Sequence, residues 1–185
     1  EHTIVITNRH LVQGDFLKQL EKVTKLHPHA LILREKDLTD DAYESLAKKV
    51  FDLCKREDIT FFLHTKIEIA RKIGCQNIHL SIPVLKGLSE TEKKALTEDF
   101  CEISISCHSM EDVEIAMAGG ATQIILGTIF ETECKKGVLG KGVEFVREIC
   151  QKYPLPVYAT GGMNMQRLPL VIDAGAAGLS LIHIS

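Results

Sequence analysis

Short, almost wholly apolar runs alternate with amphipathic stretches along the whole of this 185-residue chain. The apolar runs are Thr3–Thr7, Ala30–Leu33, Thr60–Leu63, Asn77–Leu80, Glu102–Ser106, Gln123–Leu126, Pro156–Ala159 and Leu179–Ile182. A strand with one face in water would alternate apolar and polar residues. Most of these runs do not, which predicts parallel strands covered on both faces. Between them apolar residues recur at helical spacing, as in the stripe Phe16, Leu20, Val23 and Leu26 and in Leu46, Val50 and Cys54.

The helices carry recognisable starts and stops. Asp15 and Thr39 are predicted N-caps, the latter followed by Asp40 and Asp41, whose charges suit a helix N-terminus. Ser89 with Glu92, and Ser109 with Asp112, have capping-box spacing. Gly74, Gly119 and Gly175 fall where a helix should end in a left-handed residue. Asn164 is predicted to cap the last helix, with Pro169 straining or kinking its interior.

Strands separated throughout by helices predict an α/β fold: a small (β/α)8 TIM barrel forming a single domain over the whole chain. No sequence remains for an eighth helix. An open doubly wound sheet is the competing architecture, and in both folds ligands gather at the C-terminal ends of the strands. The chain starts at Glu1 without a Met, and Leu179–Ser185 reads like a translated sequencing adapter. Native sequence is therefore expected to stop near Gly178.

Composition narrows the partners. Net charge is −3 with scattered Lys and Arg, which argues against a nucleic-acid or membrane surface. No apolar run is long enough to span a bilayer and no signal peptide is visible, so a cytoplasmic location is expected. The six cysteines form no C-x-x-C pair, and a reduced state is expected. A homo-oligomer is left open.

Chemistry-bearing residues cluster after the strands. Arg34 and Lys36 are one pleat period apart and leave the second strand on one side, suiting a phosphate or diphosphate; a solvated charge run is the bland alternative. Ser106 and His108 likewise share a side after the fifth strand, where an imidazole could move a proton or merely bond the helix start. The loop Gly127–Gly137 after the sixth strand carries hydroxyl, thiol and ammonium groups, with Cys134 beside Lys135. Gly161-Gly162-Met163-Asn164 after the seventh is read as leading directly into a helix, as a phosphate cradle would.

Taken together, Ile4–Asn8, Leu33–Asp37, Ser106–Ser109, Phe130–Gly137 and Gly161–Met163 resemble the thiamine phosphate synthase/TenI family, over essentially the whole chain up to Gly178. The resemblance implies an enzyme of thiamine biosynthesis with one of two activities. A synthase joins a pyrimidine diphosphate to a thiazole phosphate, releasing diphosphate with Mg2+. A TenI-type tautomerase moves a proton on a carboxythiazole phosphate.

Where the synthase branch has Asn-Asp and Gln-x-Asp segments, this chain has His64-Thr65 and Ile82-Pro83-Val84, and Ile32 replaces a Gln. Two carboxylates that would anchor Mg2+ are thus missing. The resemblance implies a metal-independent tautomerase with His108 as the catalytic proton carrier and no cofactor. The synthase, with Mg2+, is the alternative, and a non-catalytic regulator binding thiazole phosphate or thiamine phosphate is another. The implied substrate-binding set is Arg34, Lys36, His64, Ser106, Thr132, Cys134, Lys135, Gly161 and Gly162.

Overall fold

A computed structural model describes residues 2–132 and 139–182 of the chain. Eight parallel strands close into a barrel in sequence order, β1 Thr3–Ile6, β2 Ala30–Leu33, β3 Thr60–His64, β4 Asn77–Ser81, β5 Glu102–Cys107, β6 Gln123–Leu126, β7 Val157–Ala159 and β8 Gly178–Ile182. Closure is made by β8 on β1, with Ile4 opposite Ser180 and Ile6 opposite Ile182. Leu179–Ile182 thus complete the barrel, whatever the resemblance of the last residues to adapter sequence.

Helices α1 Phe16–Thr24, α2 Asp40–Arg56 and α3 Ile67–Ile73 separate the first four strands. Two helices, α4 Ile82–Lys86 and α5 Glu90–Asp99, separate β4 from β5, where the sequence suggested one. Then follow α6 Met110–Ala118, α7 Val143–Lys152 and α8 Leu168–Asp173.

Both faces of the strands are covered, for different reasons. Outward residues such as Leu31, Leu33, Leu63, Ile78, Leu80, Ile103 and Ile105 join the large core beneath the helices. The opposite parity builds a small separate core of Ile4, Ala30, Ile32, Phe62, Ile125 and Tyr158 inside the barrel. The same inward parity brings in His79, Ser104, Gln123 and Ser180, all buried.

The caps mostly form as read. Asp15 accepts from Lys18 N–H, Thr39 from Ala42 N–H, and Ser89 with Glu92 makes the reciprocal capping box. Ser109 accepts from Asp112 N–H, but Asp112 returns its bond to His108 N–H at 2.8 Å, one residue before the cap. Gly74 and Gly175 have φ of 78° and 106°, whereas Gly119 has −83°. The left-handed residue is its neighbour Gly120, at φ 91°.

Pro169 causes no kink. Helix α8 begins at Leu168, so the proline sits in the first turn, where its missing N–H costs nothing. Asn164 Oδ1 accepts from Arg167 N–H and closes the turn before the helix instead of capping it. Leu170 and Ile172 on α8 remain exposed.

Candidate active site

The C-terminal ends of β2, β3 and β5 bring half of the sequence-selected residues, Arg34, Lys36, His64, Ser106 and His108, to one mouth. Arg34 is half-buried and Lys36 exposed, and both act electrostatically on His64. Among the described residues neither cation has an ion-pair partner. Their acidic neighbours are otherwise engaged. Glu35 is buried and accepts from Thr7 Oγ1 at 2.6 Å, Arg9 N at 3.0 Å and Arg9 Nη1 at 3.2 Å. Asp37 takes both Arg9 Nη atoms at 2.6 Å and His10 Nε2 at 2.9 Å. Arg9 first, then His10, holds the Asp37 carboxyl well below the usual carboxylate range. Arg9 and Thr7 thus occupy the two carboxylates just past the end of β2, while Arg34 and Lys36 have no ion-pair partner among the described residues.

His64 ends β3. Burial, then the fields of Arg34, Lys36 and Lys66, lowers its pKa to about 4. Thr65 beside it has φ 64°, a left-handed conformation that a β-branched residue resists by roughly 1–2 kcal/mol. Its N–H is held by His79 O at 2.9 Å.

Beneath His64 lies a residue that the sequence reading missed. His79, on β4, is fully buried, with Nδ1 2.7 Å from Ser104 Oγ and Nε2 2.7 Å from Ser106 Oγ. Burial, then His64 and Arg34, lowers its pKa to about 3, so it is neutral at physiological pH. Gln123 Nε2 donates to Ser104 Oγ at 3.2 Å from β6. A signal was present, because Asn77, His79, Ser81 and Glu102, Ser104, Ser106 put polar groups at every second position of two buried strands.

His108 follows β5 with an exposed side chain. Its Nδ1–H donates to Gly127 O at 3.1 Å. A carbonyl can only accept, so this bond puts the ring proton on Nδ1 and leaves Nε2 as the basic nitrogen in the neutral ring. Asp112 fixes the backbone of the same residue. The geometry can therefore present a base, not just a helix-start contact.

The Gly161-Gly162 turn has φ of 94° and 63° and lies against the loop after β6: Phe130 N–H donates to Gly161 O at 3.1 Å. A Cβ at Gly161 would stand 2.5 Å from Thr128 Cγ2, so only glycine fits. The turn does not lead directly into a helix. Five residues separate Gly162 from α8, and Arg167 Nη1 donates to Gly162 O. The cation here is Arg167, stacked 4.2 Å from the Phe130 ring centroid, in place of the expected helix N-terminus. Thr132 is half-buried in the loop after β6, while Cys134 and Lys135 lie outside the described residues. The described cysteines are all free, and burial pushes the Cys107 thiol up to about 12.

Mg2+ requires oxygen ligands, usually carboxylates. Among the described residues no group of three His, Cys, Asp or Glu converges on a metal position. The ends of β3 and β4 offer His64-Thr65 and Ser81-Ile82 under the field of three cations, and Glu35 and Asp37 are tied to Arg9. These residues do not fit a bound Mg2+.

The fold and this mouth define a parallel (β/α) barrel equipped for a small anionic ligand. A family profile described as "Thiamine monophosphate synthase" matches residues 3–184. The chain belongs to that family, and so to thiamine biosynthesis. It is 30% identical over 179 residues to a thiamine-phosphate synthase of Coprothermobacter proteolyticus, covering 96% of this chain and 83% of the relative. A thiamine-phosphate synthase of Clostridium acetobutylicum is 28% identical over 183 residues, covering 97% and 83%. The solved thiamine phosphate pyrophosphorylase of Pyrococcus furiosus superposes with a TM-score of 0.83 at 23% identity, covering 98% and 85%, which bears on the fold alone. These names favour the coupling enzyme over the proton-shift enzyme expected from the sequence.

Proposed function

We propose that this chain couples a pyrimidine diphosphate to a thiazole phosphate, in keeping with relatives named thiamine-phosphate synthase. The observation that carries the reading is the pair Arg34 and Lys36. Two cations without carboxylate partners among the described residues, both just past the end of β2 and both acting on His64 at the mouth, suit a diphosphate. As the bond between the pyrimidine methylene carbon and the diphosphate oxygen breaks, that oxygen keeps the electron pair, and the thiazole ring nitrogen gives its lone pair to form the new bond to the same carbon. The guanidinium and ammonium stabilise the growing charge where it develops. The thiazole phosphate would sit against Gly161-Gly162, with Ser106 and Thr132 lining the space between the two anions. Cys134 and Lys135 belong to the same proposed set. No step is assigned to a protein-bound metal.

A second reading is favoured by one specific observation: the carboxylate-free ends of β3 and β4. A proton shift on a carboxythiazole phosphate needs no metal anchor. His108, with Nε2 free, could remove a ring proton and return it elsewhere.

The two readings differ in the number of anion sites. Coupling needs a diphosphate and a thiazole phosphate bound together, whereas a proton shift needs one phosphate. Titrating the protein with inorganic diphosphate, alone and saturated with thiazole phosphate, tests this. Coupling predicts that both bind at once and that Arg34→Ala weakens diphosphate roughly tenfold or more. Mutual competition for a single site would sink the coupling reading and leave the proton shift.

A further inference from the structure

The hydroxyl of Ser106 is at the mouth, and everything that determines its orientation lies beneath it. We propose that the buried series Gln123–Ser104–His79 fixes Ser106 as a hydrogen-bond donor toward the ligand, which makes His79 a positioning residue for the site. The proposal rests on the reading that a phosphorylated heterocycle occupies this mouth, since both the phosphate oxygens and the ring offer acceptors.

The argument is a proton count. Ser104 is fully buried, and its Oγ already accepts from Gln123 Nε2–H. Among the described residues its single proton has one acceptor, the His79 Nδ1 at 2.7 Å. Were Nδ1 the protonated nitrogen, Ser104 would receive two donors and its own buried O–H would lack an acceptor, at a cost of roughly 1–3 kcal/mol. Ser104 therefore donates, Nδ1 accepts, and the neutral ring carries its proton on Nε2.

Nε2 lies 2.7 Å from Ser106 Oγ, which must accept its proton. The remaining Ser106 proton is then directed away from His79. A doubly protonated ring would abolish the preference, and burial together with the neighbouring cation Arg34 keeps His79 in the neutral form. The series starts at a second cavity, of about 310 Å³, at the opposite end of the barrel, which Gln123 lines with His29, Glu102 and Tyr158. It is thus continuous through the interior, and every member is an inward residue of β4, β5 or β6.

Two measurements test the proposal. Nitrogen-15 spectra of the histidine rings in the ligand-free protein, assigned by loss of a signal in His79→Leu, should show His79 protonated on Nε2 alone. Protonation on Nδ1, or a mixture, would overturn the proton count. Thiazole monophosphate binding is then measured for Ser106→Ala, His79→Leu and the double variant. Each single change should weaken binding roughly tenfold, and the double variant should be no weaker than Ser106→Ala. Additive losses would show that His79 does not act through Ser106.

Ser104→Ala provides a check that keeps the imidazole. It should lose the Nε2 preference and bind several-fold more weakly, and unchanged binding would count against the series. If the intact protein binds no thiazole monophosphate, the ligand reading fails while the tautomer measurement still decides the hydrogen-bond series.

Discussion

The rings of His64 and His79 stack with centroids 5.7 Å apart and planes inclined by 19°. Their pKa values, about 4 and about 3, both lie below the ordinary 6.5, chiefly through burial. In the unfolded chain both imidazoles take up protons as the pH falls through 6.5; in the native protein they do not until about 4 and about 3. Over that interval the unfolded state holds more protons, so stability rises with pH and levels off above about 6.5. Each imidazole contributes a slope of at most about 1.4 kcal/mol per pH unit. Urea unfolding at several pH values should show it, and His79→Leu should reduce the slope by one proton's worth. An unchanged slope would mean that His79 is not held neutral.

Glu35 anchors the strand end that presents Arg34 and Lys36. Its carboxylate is buried and holds the Thr7 hydroxyl, the Arg9 N–H and the Arg9 guanidinium. Glu35→Ala should destabilise the fold by roughly 2 kcal/mol, because it leaves the Thr7 hydroxyl and the Arg9 N–H without their acceptor while the Arg9 guanidinium keeps Asp37. A chemical-denaturation loss below about 1 kcal/mol would show that water replaces the carboxylate freely.

Ser180 presents the opposite situation. Its buried Oγ has no hydrogen-bond partner among the described residues. Ser180→Ala removes the unsatisfied hydroxyl and should stabilise the protein by roughly 1 kcal/mol. Destabilisation would reveal a partner, such as an ordered water, inside the barrel.

His108→Ala should leave stability within about 1 kcal/mol of the parent, since the side chain is exposed and makes one hydrogen bond. Any proton-shift turnover should fall by roughly 10²–10⁴. Coupling activity that survives the same change would separate the two chemistries at this mouth.

The strands were legible almost to the residue, because a parallel strand covered on both faces is written as an apolar run. Inside those runs the reading passed over His79, which register sets between two serines. The fold was also needed to bring Thr7 and Arg9 onto Glu35 and Asp37, which distinguishes those carboxylates from Arg34 and Lys36. The choice of Gly120 over Gly119 turns on one residue of helix length, which periodicity does not resolve. The Gly161-Gly162 turn was found for the right property, its tolerance of positive φ, but the expected helix N-terminus is replaced by Arg167.

Product analysis addresses the central claim most directly. The protein is incubated with pyrimidine diphosphate and thiazole phosphate, with and without added Mg2+, and separately with a carboxythiazole phosphate tautomer. Coupling predicts thiamine phosphate in the first mixture, lost in Arg34→Ala. No thiamine phosphate under either condition, with the tautomer converted in the second mixture, would contradict coupling and make this chain the family's proton-shift enzyme.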